Sequence, residues 1–152
     1  MRFLKKLLVE LLTSLGGIGT SSIGGLPGTP RSREEEKKTI WVDWGGSHLT
    51  IPELKRSQEA FKQGAYDQAY EHLGIAQESI KIETPTFKAQ LLNNRAVSAY
   101  ELSWQVDNVN RRQVLQNEAQ DYITRAATKI ETFPQELSDA IMHNLTRIGR
   151  KR

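Results

Sequence analysis

The stretch that decides the fold runs from Ala60 to Ala76 and reads AFKQGAYDQAYEHLGIA. Gly64 can end a helix by taking the left-handed conformation, which other residues adopt only at a cost. Beyond it, apolar residues recur at i, i+4 and i+7, the spacing of one helix face; they are Ala69, Leu73 and Ala76. Alanines on that face let a neighbouring helix approach closely. The stretch therefore predicts two helices joined by a tight turn, with Tyr66 wedged between them.

This pattern resembles the tetratricopeptide repeat, a helix-turn-helix unit of about 34 residues with a glycine, an aromatic residue and alanines at fixed offsets. The matching residues are Gly64, Tyr66, Ala69, Leu73 and Ala76, followed by Pro85. The first helix departs from the family pattern, because Ser57 stands where a small residue, often glycine, is usual. The resemblance implies helical hairpins stacked as a fragment of a right-handed solenoid, with a groove that binds a polypeptide.

A second, longer hairpin is predicted after Thr84-Pro85. A helical stripe of apolar residues extends to about Trp104, the segment 105–110 interrupts it, and a second stripe follows. In that second stripe Ala119, Ile123 and Ala126 repeat the spacing of the first hairpin, 50 residues further along the chain. The longer interval and the missing Gly-x-aromatic turn make this unit a degenerate repeat.

The ends of the helical domain also have sequence signals. Thr50 can cap the first helix and Pro52 fits its first turn, so this helix is predicted to run to about Gln63. The last helix is predicted to start at Pro134. Its apolar stripe consists of Leu137, Ile141, Leu145 and Ile148. One apolar and one polar side suit a capping helix, so residues 50–152 are predicted to form an all-α domain of two antiparallel hairpins plus a C-terminal cap.

Composition limits the classes of function. The 152 residues are 38% hydrophobic, and the net charge of +3 comes from 21 basic and 18 acidic residues that are mostly interleaved. Nucleic-acid binding usually requires a concentrated basic face, which these interleaved charges do not form; binding through the basic C-terminus, Arg150 to Arg152, is the least favoured alternative. The chain has no cysteine, which excludes disulfides and thiolate chemistry. Two repeats are few for this architecture, and the shortfall predicts either homo-oligomers or a bound partner.

Residues 1–15 are predicted to form a separate amphipathic helix, with leucines on one face and charged residues opposite. The residues predicted to contact a membrane surface or a docking partner are Arg2, Phe3, Leu4, Lys5, Lys6, Leu7, Leu8, Leu11, Leu12 and Leu15. The helix is too short to span a bilayer, which needs about 20 residues. Glu10 interrupts the apolar stretch that a cleaved secretory signal requires. Three roles stay open: a helix lying in the headgroup layer, a docking peptide, or a helix folded back onto its own domain.

Two segments separate this helix from the domain. Residues 16–38 are rich in glycine, proline, serine and charge, and are predicted to be a flexible linker. Residues 39–49 contain Trp41 and Trp44 in a short apolar-polar alternation. We expect an irregular segment whose tryptophans pin it onto the first domain helix, with a partner-recognition patch as the alternative.

No pattern in the sequence indicates catalysis. The three histidines are scattered, the helix serines lack a nucleophile context, and Gly-Gly-Ile-Gly lacks the Gly-Lys-Ser/Thr ending of a phosphate loop. We therefore expect no catalytic, cofactor or metal site. Asn144-Leu-Thr matches a glycosylation acceptor and is interpreted as accidental.

The resemblance implies partner-binding residues on the first helix of each pair. By alignment they are Leu54, Gln58, Phe61, Lys62, Asn93, Asn94, Val97, Tyr100 and Glu101. Some members of the family bind a peptide's terminal carboxylate with a lysine and asparagines. Only Asn94 matches that clamp, so the clamp is predicted to be absent. The alternative for Asn93 and Asn94 is that they cap local backbone or face water.

Together these observations predict a non-catalytic adaptor or complex-assembly factor that binds a protein partner in its groove. The expected location is cytoplasmic, and the N-terminal helix would place the domain peripherally on a membrane surface. The alternative is that this helix docks the domain into a larger protein assembly.

Overall fold

The computed structural model describes residues 38–81 and 84–149. Within these ranges the chain is helical and contains no β-strand. The α-helices are α1 (Pro52–Lys62), α2 (Tyr66–Ser79), α3 (Pro85–Ser103), α4 (Val109–Ala126) and α5 (Gln135–Gly149). Short 3-10 helices occupy Gly46–Thr50 and Ala127–Thr132. The predicted all-α class is confirmed, whereas the predicted helix 1–15 and most of the linker lie outside the described residues.

The turn between α1 and α2 forms as its glycine predicts. Gly64 has a φ of 80°, in the left-handed region. The Ala65 N–H returns to the Ala60 carbonyl at 2.9 Å, which closes the end of α1. Helix α2 then begins at Tyr66 and ends at Ser79.

Helix α3 begins with a capped turn, but α1 does not. The Thr84 hydroxyl accepts a hydrogen bond from the Phe87 N–H at 3.1 Å, and Pro85 occupies the first turn. The prediction that Thr50 caps α1 is wrong. Thr50 belongs to the preceding 3-10 helix, where its hydroxyl donates to the Ser47 carbonyl, and Ile51 stands at the N-cap of α1 without a side-chain bond.

Each α-helix packs chiefly against its neighbours in sequence, and the α3–α4 contact is the most extensive. The alanines that were expected at the helix contacts are at most 1% exposed; they are Ala69, Ala76, Ala119 and Ala126. A smaller apolar cluster joins α1, α2 and the start of α3, and a larger one joins α3, α4 and α5. Helix α3 takes part in both clusters, so buried residues lie all around it.

Candidate peptide-binding groove

Residues 38–44 lie across α1, α3 and α5, and we call them the resident segment. The segment belongs to no helix or strand, and its residues make no main-chain hydrogen bonds to one another. Side chains of the three helices bind it instead. We call the surface that they form the groove; its central residues are Gln58 on α1, Asn94 on α3 and Asn144 on α5.

Two asparagines each bind both main-chain groups of one residue. The Asn94 side chain accepts from the Val42 N–H at 2.8 Å and donates to the Val42 carbonyl at 2.8 Å. Asn144 does the same for Ile40, at 2.7 Å from its N–H and 2.8 Å from its carbonyl. An asparagine amide offers one acceptor and one donor side by side, so it can satisfy the N–H and the C=O of one residue.

The third amide continues this series along the segment. The Gln58 carbonyl oxygen accepts from the Trp44 N–H at 2.5 Å. Residues 40, 42 and 44 are thus bound through their main chain, and the main chain of the residues between them is not bound by these three amides. A period of two is the repeat of extended backbone, so the groove holds this segment in an extended conformation.

Further polar groups support the asparagines. Asn93 donates to the Ile40 carbonyl at 3.1 Å and accepts from Asn144 at 2.7 Å. Gln90 donates to the carbonyls of Val42 and Asp43 at 3.2 and 3.1 Å. Asn93, Asn94 and Asn144 are all 0% exposed. Buried amides are costly unless they are hydrogen-bonded, so the resident segment satisfies polar groups that the helices place in the interior.

One side chain of the segment enters the core. Trp44 is 2% exposed and belongs to the smaller apolar cluster. Its indole N–H donates to the Ser57 hydroxyl at 3.3 Å, and its ring lies 5.7 Å from that of Phe87 and 5.8 Å from that of His48. Because the indole finds both apolar contacts and a hydrogen-bond acceptor, this pocket fits tryptophan well.

The odd-numbered residues meet the rim of the groove. Trp41 stacks on Phe61 with ring centroids 4.6 Å apart, and its indole N–H points to Gln58 at 3.4 Å. The Thr39 hydroxyl donates to the Glu101 carboxylate at 2.6 Å. Asp43 forms an ion pair with Lys62 at 3.2 Å, although both side chains are exposed. Trp41 and Trp44 therefore both contact side chains of α1, while the end of the segment 39–49, which was expected to be irregular, belongs to the 3-10 helix Gly46–Thr50.

The structure brings six of the nine predicted partner-binding residues together on this segment. They are Gln58, Phe61, Lys62, Asn93, Asn94 and Glu101. The other three, Leu54, Val97 and Tyr100, lie in the packed interior beneath the groove and present little surface to any partner. Val97 and Tyr100 were placed one face too far outward, because α3 is buried on more sides than a two-sided helix, whereas Leu54 on α1 packs into the smaller apolar cluster.

Sequence reasoning missed other groups that bind the segment. Asn144 was expected in a cap, yet it supplies one of the two double contacts, and the neighbouring His143 ring contacts the Lys38 carbonyl at 2.6 Å. Gln90 was missed as well. The sequence did contain a signal for Asn144, because this residue falls within the apolar stripe of α5. An amide at a buried position requires hydrogen-bond partners that are also buried.

A cation between two aromatic rings ties the middle helices together. The Arg95 guanidinium lies 5.3 Å from the Tyr70 ring and 4.9 Å from the Tyr122 ring. Tyr70 donates a hydrogen bond to Glu118. Burial is the main cause that raises the pKa of Tyr70 to about 12, and the Glu118 carboxylate adds to it. This cluster fixes α2, α3 and α4 relative to one another and so holds Asn93 and Asn94 in place.

The arrangement of the groove can bind and orient a polypeptide. In residues 38–81 and 84–149 no group of three or more histidines, aspartates or glutamates is placed to hold a metal ion. In the same part of the chain, no helix combines the length and apolar character needed to cross a membrane. Comparison with protein-family models, curated proteins and solved structures finds no match to this chain.

Proposed function

We propose that this chain is a non-catalytic adaptor or complex-assembly factor, and that its groove binds an extended segment of a protein partner. The observation that supports the proposal most directly is the set of amides on α1, α3 and α5. They bind main-chain groups at every second residue of an extended strand. Only a polypeptide presents N–H and C=O groups with that spacing.

The helix order supports a repeat architecture for this groove. We propose that α1–α2 and α3–α4 are hairpins of the tetratricopeptide type and that α5 is the first helix of an incomplete third unit. The groove would then be lined by the first helix of each unit, and each of those helices supplies one central amide, namely Gln58, Asn94 and Asn144.

The placement of the adaptor is a separate part of the proposal. Residues 1–15 would lie on a membrane surface through their leucines and lysines, or else dock the domain into a larger assembly. These residues lie outside the described structure, so this part depends on the amphipathic pattern of the sequence alone.

Site-specific photo-cross-linking in cells of the source organism tests the adaptor role. A photoreactive residue replaces Lys62, which stands on the rim of the groove, and in a matched control it replaces Thr124, an exposed residue of α4. We expect a cross-link to a second polypeptide from position 62 and none from position 124. Cross-links from position 62 that stay within the chain, or equal yields at both positions, would contradict the proposal.

A further inference from the structure

The resident segment indicates the chemistry of the partner. We infer that the partner carries an extended segment with the character of residues 39–44, including a tryptophan at the position of Trp44, and that it binds by displacing the resident segment. This inference rests on the proposed function and specifies its partner.

Main-chain contacts alone cannot select a partner. The amides of Gln58, Asn94 and Asn144 bind N–H and C=O groups that nearly every peptide has. They supply affinity and fix the register, as in other cases where a protein binds an extended peptide through its main chain. Selection must therefore come from the side chains that the groove accepts.

The Trp44 pocket is the most selective position. Trp44 is almost completely buried, whereas Asp43 and Ile40 are exposed. A smaller residue would leave a cavity beside Leu54 and Phe87 and would lose the hydrogen bond to Ser57. A second aromatic residue three positions earlier, in place of Trp41, would stack on Phe61.

Charge on the rim adds a weaker preference. Lys62 faces Asp43, so the residue before the buried tryptophan is best acidic, and a basic residue there would be repelled. Exposed ion pairs contribute little to binding affinity. We therefore expect the acid to modulate the affinity and the tryptophan to determine it.

The groove must be filled, and this explains why the partner resembles the resident segment. If residues 38–44 left without replacement, the three fully buried asparagines would lose their main-chain partners. A partner segment that presents main-chain groups at every second residue would restore the hydrogen bonds of these asparagines. The partner segment therefore has to resemble the resident segment that it replaces. Gly45 and Gly46 follow Trp44 directly, and Gly46 has a φ of 56°; two glycines at this point give the backbone the conformational freedom that displacement of the segment requires.

The experiment measures binding of a fluorescent peptide to the full chain. The probe is KTIWVDWGG, the sequence of residues 38–46. It is titrated against the unaltered chain and against Val42→Pro. This substitution removes the N–H that donates to Asn94, so it weakens binding of the resident segment and leaves the groove residues unchanged. We expect about tenfold tighter binding to the variant, because two contacts of Val42 with Asn94 are disturbed.

Two altered peptides test the selection. Replacing the second tryptophan of the probe by alanine should weaken binding to the Val42→Pro chain by about tenfold or more. Replacing its aspartate by lysine should weaken binding by about two- to threefold. If Val42→Pro does not fold, as judged by circular dichroism, Trp41→Ala takes its place, since it weakens the resident segment only at the rim.

Three results would overturn the inference. Equal affinity for the unaltered and weakened chains would show that no displacement occurs. Equal affinity for the probe and its alanine variant would show that the groove does not select for the tryptophan. If the unaltered chain forms a dimer that excludes the probe from the groove, the occupant of the groove is a second copy of this chain and not a partner protein. If the probe does not displace the resident segment but position 62 still cross-links to a partner, the adaptor proposal stands and only this inference fails. If the probe does displace the segment but position 62 gives no cross-link to a partner, the adaptor role is contradicted instead.

Discussion

At the scale of single residues, the buried asparagines are the feature that links this fold to a polypeptide ligand. Most asparagines lie at the surface, and full burial of three in one cluster is unfavourable unless every donor and acceptor has a partner. Here the partners include the main chain of residues 40 and 42. The same polar atoms therefore contribute to stability and define what the groove can bind.

Asn94→Ala should lower the free energy of unfolding by about 2 kcal/mol, because it removes two hydrogen bonds to Val42 and leaves polar groups without partners. Urea denaturation measures the change. Asn117→Ala on α4 is the matched control, since Asn117 is exposed and makes one hydrogen bond, to Gln113. We expect the control to remain within about 0.5 kcal/mol of the unaltered chain. A loss for Asn94→Ala no larger than for the control would contradict the role of this amide.

Tyr70 should make the protein less stable at high pH. Its pKa is about 12 in the folded chain, compared with 10.0 for the ordinary side chain. Below pH 10 both the folded and unfolded chains hold the proton. Between pH 10 and 12 the unfolded chain releases it and the folded chain keeps it, so the free energy of unfolding falls as the pH rises.

Tyr70→Phe removes this contribution while keeping the ring near Arg95. We expect a shallower decrease in the free energy of unfolding between pH 10 and 12, measured by urea denaturation at several pH values. Ultraviolet absorbance of tyrosinate provides a second check, because the ionisation with a pKa of about 12 should disappear from the titration. An unchanged pH dependence in the variant would refute the assignment.

At the scale of elements, the α1–α2 turn shows how one residue sets the path of the chain. Gly64 adopts a left-handed conformation at a φ of 80°, and the Ala65 N–H then closes the end of α1. An added Cβ at this position would meet nothing within 4 Å. The requirement for glycine is therefore conformational and does not come from packing.

Gly64→Ala should destabilise the protein by about 1 kcal/mol, the usual cost of left-handed backbone for a residue with a side chain. Gly45→Ala is the matched control, because Gly45 has a φ of −142° and equally open surroundings. Thermal unfolding should show a lower melting temperature for the first variant and little change, or a small gain, for the second. Similar effects of the two substitutions would contradict the conformational argument.

At the scale of the whole molecule, the helices and the resident segment depend on each other. In residues 38–81 and 84–149 the surface between α1, α3 and α5 is filled by a segment of the same chain. An external partner must therefore compete with an intramolecular ligand, which has the advantage of high effective concentration.

Removal of residues 1–15 should abolish flotation of the full chain with liposomes that contain anionic lipid. The leucines would supply apolar contact, and each lysine near the surface would contribute about 1 kcal/mol of attraction. Replacing Lys5 and Lys6 by glutamate keeps the leucines, and we expect it to reduce flotation in part. Equal flotation of intact and truncated chains would remove the membrane placement and favour the docking alternative.

The positions of the helices could be predicted closely from the sequence, while their contacts with residues 38–44 could not. Periodic alanines, Gly64 and the Thr84-Pro85 cap act locally, so they determine where helices run, within a few residues. The cap at Thr50 was predicted wrongly, because the preceding 3-10 helix incorporates that residue. The resident segment was expected to pack through its tryptophans, and its main-chain contacts were not foreseen.

By itself, the sequence determined that the described part of the chain is helical and that small residues line the helix contacts. It also predicted that two tryptophans pin residues 39–49 to the first domain helix. Only the tertiary structure decided what the groove holds. Asn94 and Asn144 lie 50 residues apart, and they become neighbours across one strand because α3 and α5 pack together. Such a contact depends on the long-range arrangement of helices, which local propensities and periodicity do not specify.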